Sequence, residues 1–140
     1  MVTAHSAPMR TLLQFVLLLT AAASPVVAQG RWKEIGKTSV GNSVYVDPRS
    51  VKTVSGIINA RIRVKFTDPV KTPEGVWVAS HHVAMFDCAH KTVAAKESIY
   101  YSDEAANKVV KHTTIAQPGF GPAIGGSMTQ VALDYMCKKP

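Results

Sequence analysis

The chain is short of cysteine and of acid, and each shortage excludes a chemistry. Two cysteines, Cys88 and Cys137, are all that its 140 residues hold. They make no CxxC pair, which argues against a dithiol redox motif and against a cysteine-built zinc site. Nine Asp and Glu stand against sixteen Lys and Arg. The acids are scattered. The one adjacent pair, Asp103-Glu104, falls in a turn, so no paired-carboxylate acid–base centre is expected. No nucleophile motif surrounds Ser80, Ser98 or Ser127. Gly119-x-Gly121-x-x-x-Gly125 has the wrong spacing for a dinucleotide loop, lacks a βαβ setting, and loses an amide donor at Pro122. His81 and His82 are strand neighbours that point to opposite faces and cannot chelate together. His82 would meet His90 or Asp87 only through a bend. The expectation is no catalytic residues, no metal, no cofactor and no enzyme.

A long apolar run is missing too, except at the start. Arg10 supplies a positive n-region, Leu12–Ala23 a short apolar core, and Val26-Val27-Ala28 a small-x-small cleavage site. Residues 1–28 therefore read as a signal peptide cut after Ala28. Residues 29–140 are left as one domain with no transmembrane segment. Losing Arg10 lowers the net charge by one from the +7 of the full chain. A basic exported domain favours acidic protein patches, lipopolysaccharide, glycosaminoglycans or membrane surfaces, and export takes it away from nucleic acid. Two cysteines in an exported domain favour one disulfide, Cys88–Cys137. Closing so long a loop is worth roughly 4 kcal/mol in chain entropy.

What is present is mostly strand. Val76–Cys88 is the longest run that reads as one buried strand. Val78, Ser80, His82, Ala84, Phe86 and Cys88 share one face, and Trp77, Ala79, His81, Val83, Met85 and Asp87 the other. Neither face is cleanly polar, so the strand is interior, and a helix bearing Cys137 should lie on the Cys88 face. Ile57–Thr67 is the clearest amphipathic strand. Ile58, Ala60, Ile62, Val64 and Phe66 face a core, while Asn59, Arg61, Arg63, Lys65 and Thr67 face water. A one-residue slip would bury three cations, so this register is firmly set. Strands are also expected at Trp32–Thr38, Val44–Asp47, Thr92–Tyr101 and Lys108–Ile115, with a short extended piece at Val51–Val54. Asp68–Gly75, with two prolines and a glycine, reads as a loop, as does Gln117–Gly126. Ser127 with Gln130 makes a capping-box pattern, and Met128, Val131, Ala132, Tyr135 and Met136 form one helical stripe ending near Cys137. The fold class is α+β: a single antiparallel sheet of about six strands, with a C-terminal helix packed on one face and tethered by the disulfide.

The order of these features resembles the surface-adhesin protein E family of bacterial exported proteins. The matching landmarks are Trp32 with Ile35, then Tyr45-Val46-Asp47-x-x-Ser50-Val51-Lys52. An alternating strand follows, then Asp87-Cys88, Tyr100-Tyr101, a proline-containing loop and Cys137. The match spans nearly the whole chain after the signal. The resemblance implies an antiparallel sheet tied to a C-terminal helix by a disulfide. It also implies an adhesin that binds host extracellular-matrix or plasma proteins and forms a homodimer, with Met85–Lys96 as one binding segment by position. Adhesive members are lipid-anchored. No cysteine follows Ala28 here, so no lipobox is present, and the expected location is the periplasm, the medium or the cell surface without a lipid anchor.

Arg61, Arg63 and Lys65 are the candidate binding face. Three cations on one strand face, about 7 Å apart, can meet an extracellular-matrix protein or another acidic macromolecule. The competing assignment is an ordinary solvated face paired with Glu97 or Asp87 on neighbouring strands. Two functional readings follow: an adhesin-like binding domain, or a soluble periplasmic accessory protein of the cell envelope.

Overall fold

The computed structural model describes residues 31–138; the expected signal peptide and its expected cut after Ala28 lie outside them. The chain forms β1 (Lys33–Lys37), β2 (Ser43–Val46), a 3-10 turn (Pro48–Ser50), β3 (Lys52–Val54), β4 (Ile57–Thr72), β5 (Gly75–Asp87), β6 (Thr92–Tyr101), β7 (Val109–Thr114), β8 (Gly121–Pro122) and α1 (Met128–Met136). One antiparallel sheet runs β1-β2-β4-β5-β6-β7, with β3 paired to β4 and β8 to β6. The six strands of the main path match the expected sheet.

Alternation decides which side becomes core. Ala60, Ile62 and Val64 of β4 and Ala84 and Phe86 of β5 are buried, with Val44 and Val46 of β2 beside them. Against this face lies α1, whose Ala132 and Leu133 complete the apolar cluster. The expected helical stripe packs there, and Leu133 joins it from outside that stripe. Ser127 caps the helix, accepting from the Gln130 amide at 3.4 Å, but the Gln130 side chain turns away to Asp134 instead of closing the box. Cys137 reaches Cys88 as expected, over a sequence separation of 49.

Two features depart from the alternation. The segment Asp68–Gly75, expected as a loop, is largely strand: β4 and β5 form one long hairpin, turned by Pro73 and Glu74. Pro69 is tolerated because it sits where the β4–β5 register shifts, between Lys65 and Val70, and no ladder amide is required of it. Beyond the same irregularity Trp77 lies on the helix side. It stacks on Tyr100 at 4.0 Å, and Tyr100 pairs with Ser80 of the core face.

The helix approaches β1 so closely that only glycine fits. Gly36 has φ +156°, and a Cβ there would lie 2.9 Å from Cγ1 of Val131. Valine is stiff about χ1 and cannot swing aside. Gly36→Ala is expected to cost about 1–3 kcal/mol, the range for overpacking a close contact, read as a lower urea midpoint. An unchanged midpoint would mean that α1 slides freely on β1.

Candidate functional site

The side of the sheet turned away from α1 carries the chemistry. Tyr45, Arg63, His81, Ile99 and His112 form one row across five strands by pairing register. Arg61, Val83, Glu97 and Thr114 form the next row. Trp32 reaches this face from the chain entering β1. Its ring lies 5.1 Å from the His81 ring, and His81 lies edge-on 5.0 Å from Tyr101.

Arg31 is held beside this aromatic group by a buried acid. Asp47, 1% exposed, accepts from Arg31 Nε at 2.5 Å and from the Arg49 amide at 3.1 Å. Ser50 Oγ donates to the Asp47 carbonyl and accepts from the Arg61 amide. The Asp47-x-x-Ser50 landmark thus locks the end of β2 to β4 and positions Arg31. The Arg31 guanidinium lies 6.0 Å from the Trp32 ring centre.

The three cations of β4 do not act alike. Lys65 Nζ is 3.1 Å from Glu104 Oε2, and Arg63 Nη2 donates to the Glu104 carbonyl. Arg61 is exposed and makes no ion pair among the described residues. The expected partners are engaged elsewhere: Glu97 takes His112 at 2.7 Å and Asp87 takes His90 at 2.8 Å. Arg61 joins Arg31, Trp32, His81 and Tyr101 around a concavity of about 320 Å³, which Arg63 and Lys65 do not line. Arg63 Nε and His81 Nε2 are buried without a hydrogen-bond partner among the described residues.

Electrostatics keep this floor uncharged beneath a cationic rim. Burial, reinforced by Arg63, Arg31 and Arg61, pushes His81 down to about 4, so its imidazole is neutral at pH 7. Burial, with Glu97 and Asp103 nearby, holds the Tyr101 phenol above its ordinary value. Trp32 and Tyr101 stood out in the sequence only as landmarks of the resemblance, His81 only as a rejected metal ligand, and Arg31 not at all. Asp103 serves its own turn, accepting from the Asn107 and Lys108 amides. Met85–Lys96 forms the β5–β6 connection next to the disulfide and lines no part of the concavity. Among the described residues no three His, Cys, Asp or Glu side chains gather as metal ligands would. No helix among those residues is long and apolar enough to cross a membrane.

A single antiparallel sheet closed by a disulfide-tethered C-terminal helix, with an arginine-rimmed outer face, defines an α+β domain built around a surface rather than a deep cleft. The chain belongs to the Surface-adhesin protein E family, whose model matches residues 32–138. Solved structures of Haemophilus influenzae protein E share the fold. Crystal form II is 10% identical, with a TM-score of 0.53 over 76% of this chain and 87% of that one. Protein E from the non-typeable organism is 12% identical, with a TM-score of 0.52 over 81% and 79%. No curated protein matches the sequence.

Proposed function

We propose that this protein is an exported, non-enzymatic binding domain that engages an acidic macromolecule through the outer face of its sheet. One observation carries the reading: Arg31 and Arg61 converge on an aromatic floor that the helix leaves uncovered, with Arg63 beside it in the same row of the sheet as His81. Membership of an adhesin family supports a binding role. The basic excess supports an acidic partner, because a patch of one sign attracts its opposite over several ångströms and loses that pull as salt rises. Arg61 and Arg63 remain the centre of this face. Arg31 takes the third place because it lines the concavity, its Nε held by Asp47, whereas Lys65 lies outside it against Glu104.

Heparin–agarose tests the reading with a polyanion of known composition. The native domain should be retained and should elute earlier as salt rises. Arg61→Glu with Arg63→Glu should abolish retention while leaving the circular dichroism spectrum unchanged. Retention of the double variant equal to the native protein's would remove the basic face from the account. Fractionation of the native host assigns the place of action. A purely periplasmic protein would favour the envelope-accessory reading over adhesion.

A further inference from the structure

We propose that the concavity on this face is a subsite for one carboxylated sugar residue of an anionic glycan, an inference that rests on the binding reading above. Its walls divide into three kinds of partner. Arg61, exposed and without an ion pair among the described residues, and Arg31, whose Nε is held by Asp47, supply the anion contact. A guanidinium presents a planar fork of donors that matches a carboxylate two bonds at a time.

Trp32 supplies the ring contact. It is half-buried, braced by His81 at 5.1 Å, with Ile99 and Val83 alongside. An aromatic face is electronegative, and the axial C–H bonds of a pyranose carry the opposite polarity, so the two surfaces stack. A flexible acidic side chain of a peptide offers no such face.

Glu97 and Tyr101 supply the hydroxyl contacts and decide between ligand classes. Glu97 lines the same concavity, with Oε1 accepting from His112 Nε2 at 2.7 Å. A carboxylate there opposes a bare acidic side chain but accepts from a sugar hydroxyl. Tyr101 and the unpartnered Nε2 of His81 add polar groups to the same wall. His81 is neutral at pH 7, so it meets hydroxyls as a hydrogen-bonding ring rather than as a fourth cation. The volume of about 320 Å³ lies at the low end of ligand pockets, roughly 300–1,000 Å³, and suits one ring of a chain that continues over the rim.

The chain has only two tryptophans, Trp32 and Trp77, and Trp77 faces the helix side, so indole N–H resonances report the site directly. D-glucuronate should move the Trp32 indole signal and leave that of Trp77 in place, saturating with a dissociation constant on the order of 1 mM, as a few contacts with one small ligand allow. Glucose, acetate and N-acetylglutamate amide should each bind at least tenfold more weakly. Arg61→Lys keeps the charge but loses the fork and should weaken glucuronate at least tenfold. N-acetylglutamate amide binding as well as glucuronate would assign the pocket to acidic peptide side chains and overturn the sugar. A silent Trp32 signal in glucuronate would overturn the subsite. The heparin experiment separates the two levels: retention that depends on Arg61 and Arg63 with a silent pocket sinks the subsite alone, and no retention sinks the basic-face reading.

Discussion

Removing the Cys88–Cys137 link should lower the stability of this domain by about 4 kcal/mol, the largest single effect expected of any one change here. The link closes a loop of 49 residues, and chain-entropy arguments assign most of its contribution to the unfolded chain it restrains. The size of the effect follows from what else holds α1. The helix has nine residues, too few to persist alone in water. Its grip on the sheet is chiefly Ala132 and Leu133, with Val131, Tyr135 and Met136 half-buried around them. Freed of the tether, these contacts must offset the ordering of the whole C-terminal segment. Small domains have only about 5–15 kcal/mol in reserve. Cys88→Ser with Cys137→Ser should therefore lower the urea midpoint by about 2 M, for a slope of roughly 2 kcal/mol per molar. An unchanged midpoint would show that packing alone holds the helix. A midpoint restored by reoxidation in the native chain, but absent in the double serine variant, would assign the loss to the bond itself.

How much of this could be read beforehand depends on whether the information was local. Period-2 alternation in Ile57–Thr67 gave the correct core face, because each side chain's destination follows from its own position along the strand. The Ser127 cap and the stripe from Met128 to Met136 likewise gave the helix. The failures are non-local. Nothing in Asp68–Gly75 announces that Pro69 falls at a register shift, where its missing amide costs no ladder bond, and so the hairpin was cut short. The same shift turns Trp77 to the helix side. The candidate site was half visible. Arg61 and Arg63 stood out by alternation, but Lys65 looked equivalent to them until the 102–107 turn set Glu104 over it. Trp32 and Arg31 precede the first strand and reach His81 only because the sheet order brings β1 within two strands of β5. No periodicity records such a crossing.

Acidification should unfold this protein in a window set by histidine rather than by carboxylates. His82 is 7% exposed on the core face. Its ring nitrogens meet Ser98 Oγ at 2.9 Å and Ser80 Oγ at 2.8 Å, and Tyr100 packs edge-on at 5.7 Å. No acid is among these partners, so nothing rewards a proton there. Burial, with His81 adjacent in sequence, pushes His82 from 6.5 down to about 4. The unfolded chain therefore takes up a proton between pH 6.5 and 4 that the folded chain refuses. Stability is fully present above pH 6.5, falls as the pH drops toward 4, and levels off below it. A shift of that size is worth about 3 kcal/mol for His82. His81 titrates over the same window but is half-exposed, so solvent screens its share and it adds less. The carboxylates with displaced values do not confuse the measurement. Asp87 and Asp103 lie below 3.8, so their stabilisation is lost only at lower pH still. Urea midpoints at pH 7, 5.5 and 4 should fall in step. His82→Gln keeps an amide within reach of the two serines and cannot charge, so it should lose most of that slope, staying near the native protein at pH 7 and exceeding it at pH 4. A native slope unchanged in His82→Gln would place the titrating group elsewhere, and a flat native profile from pH 7 to 4 would mean that His82 accepts its proton without leaving the core.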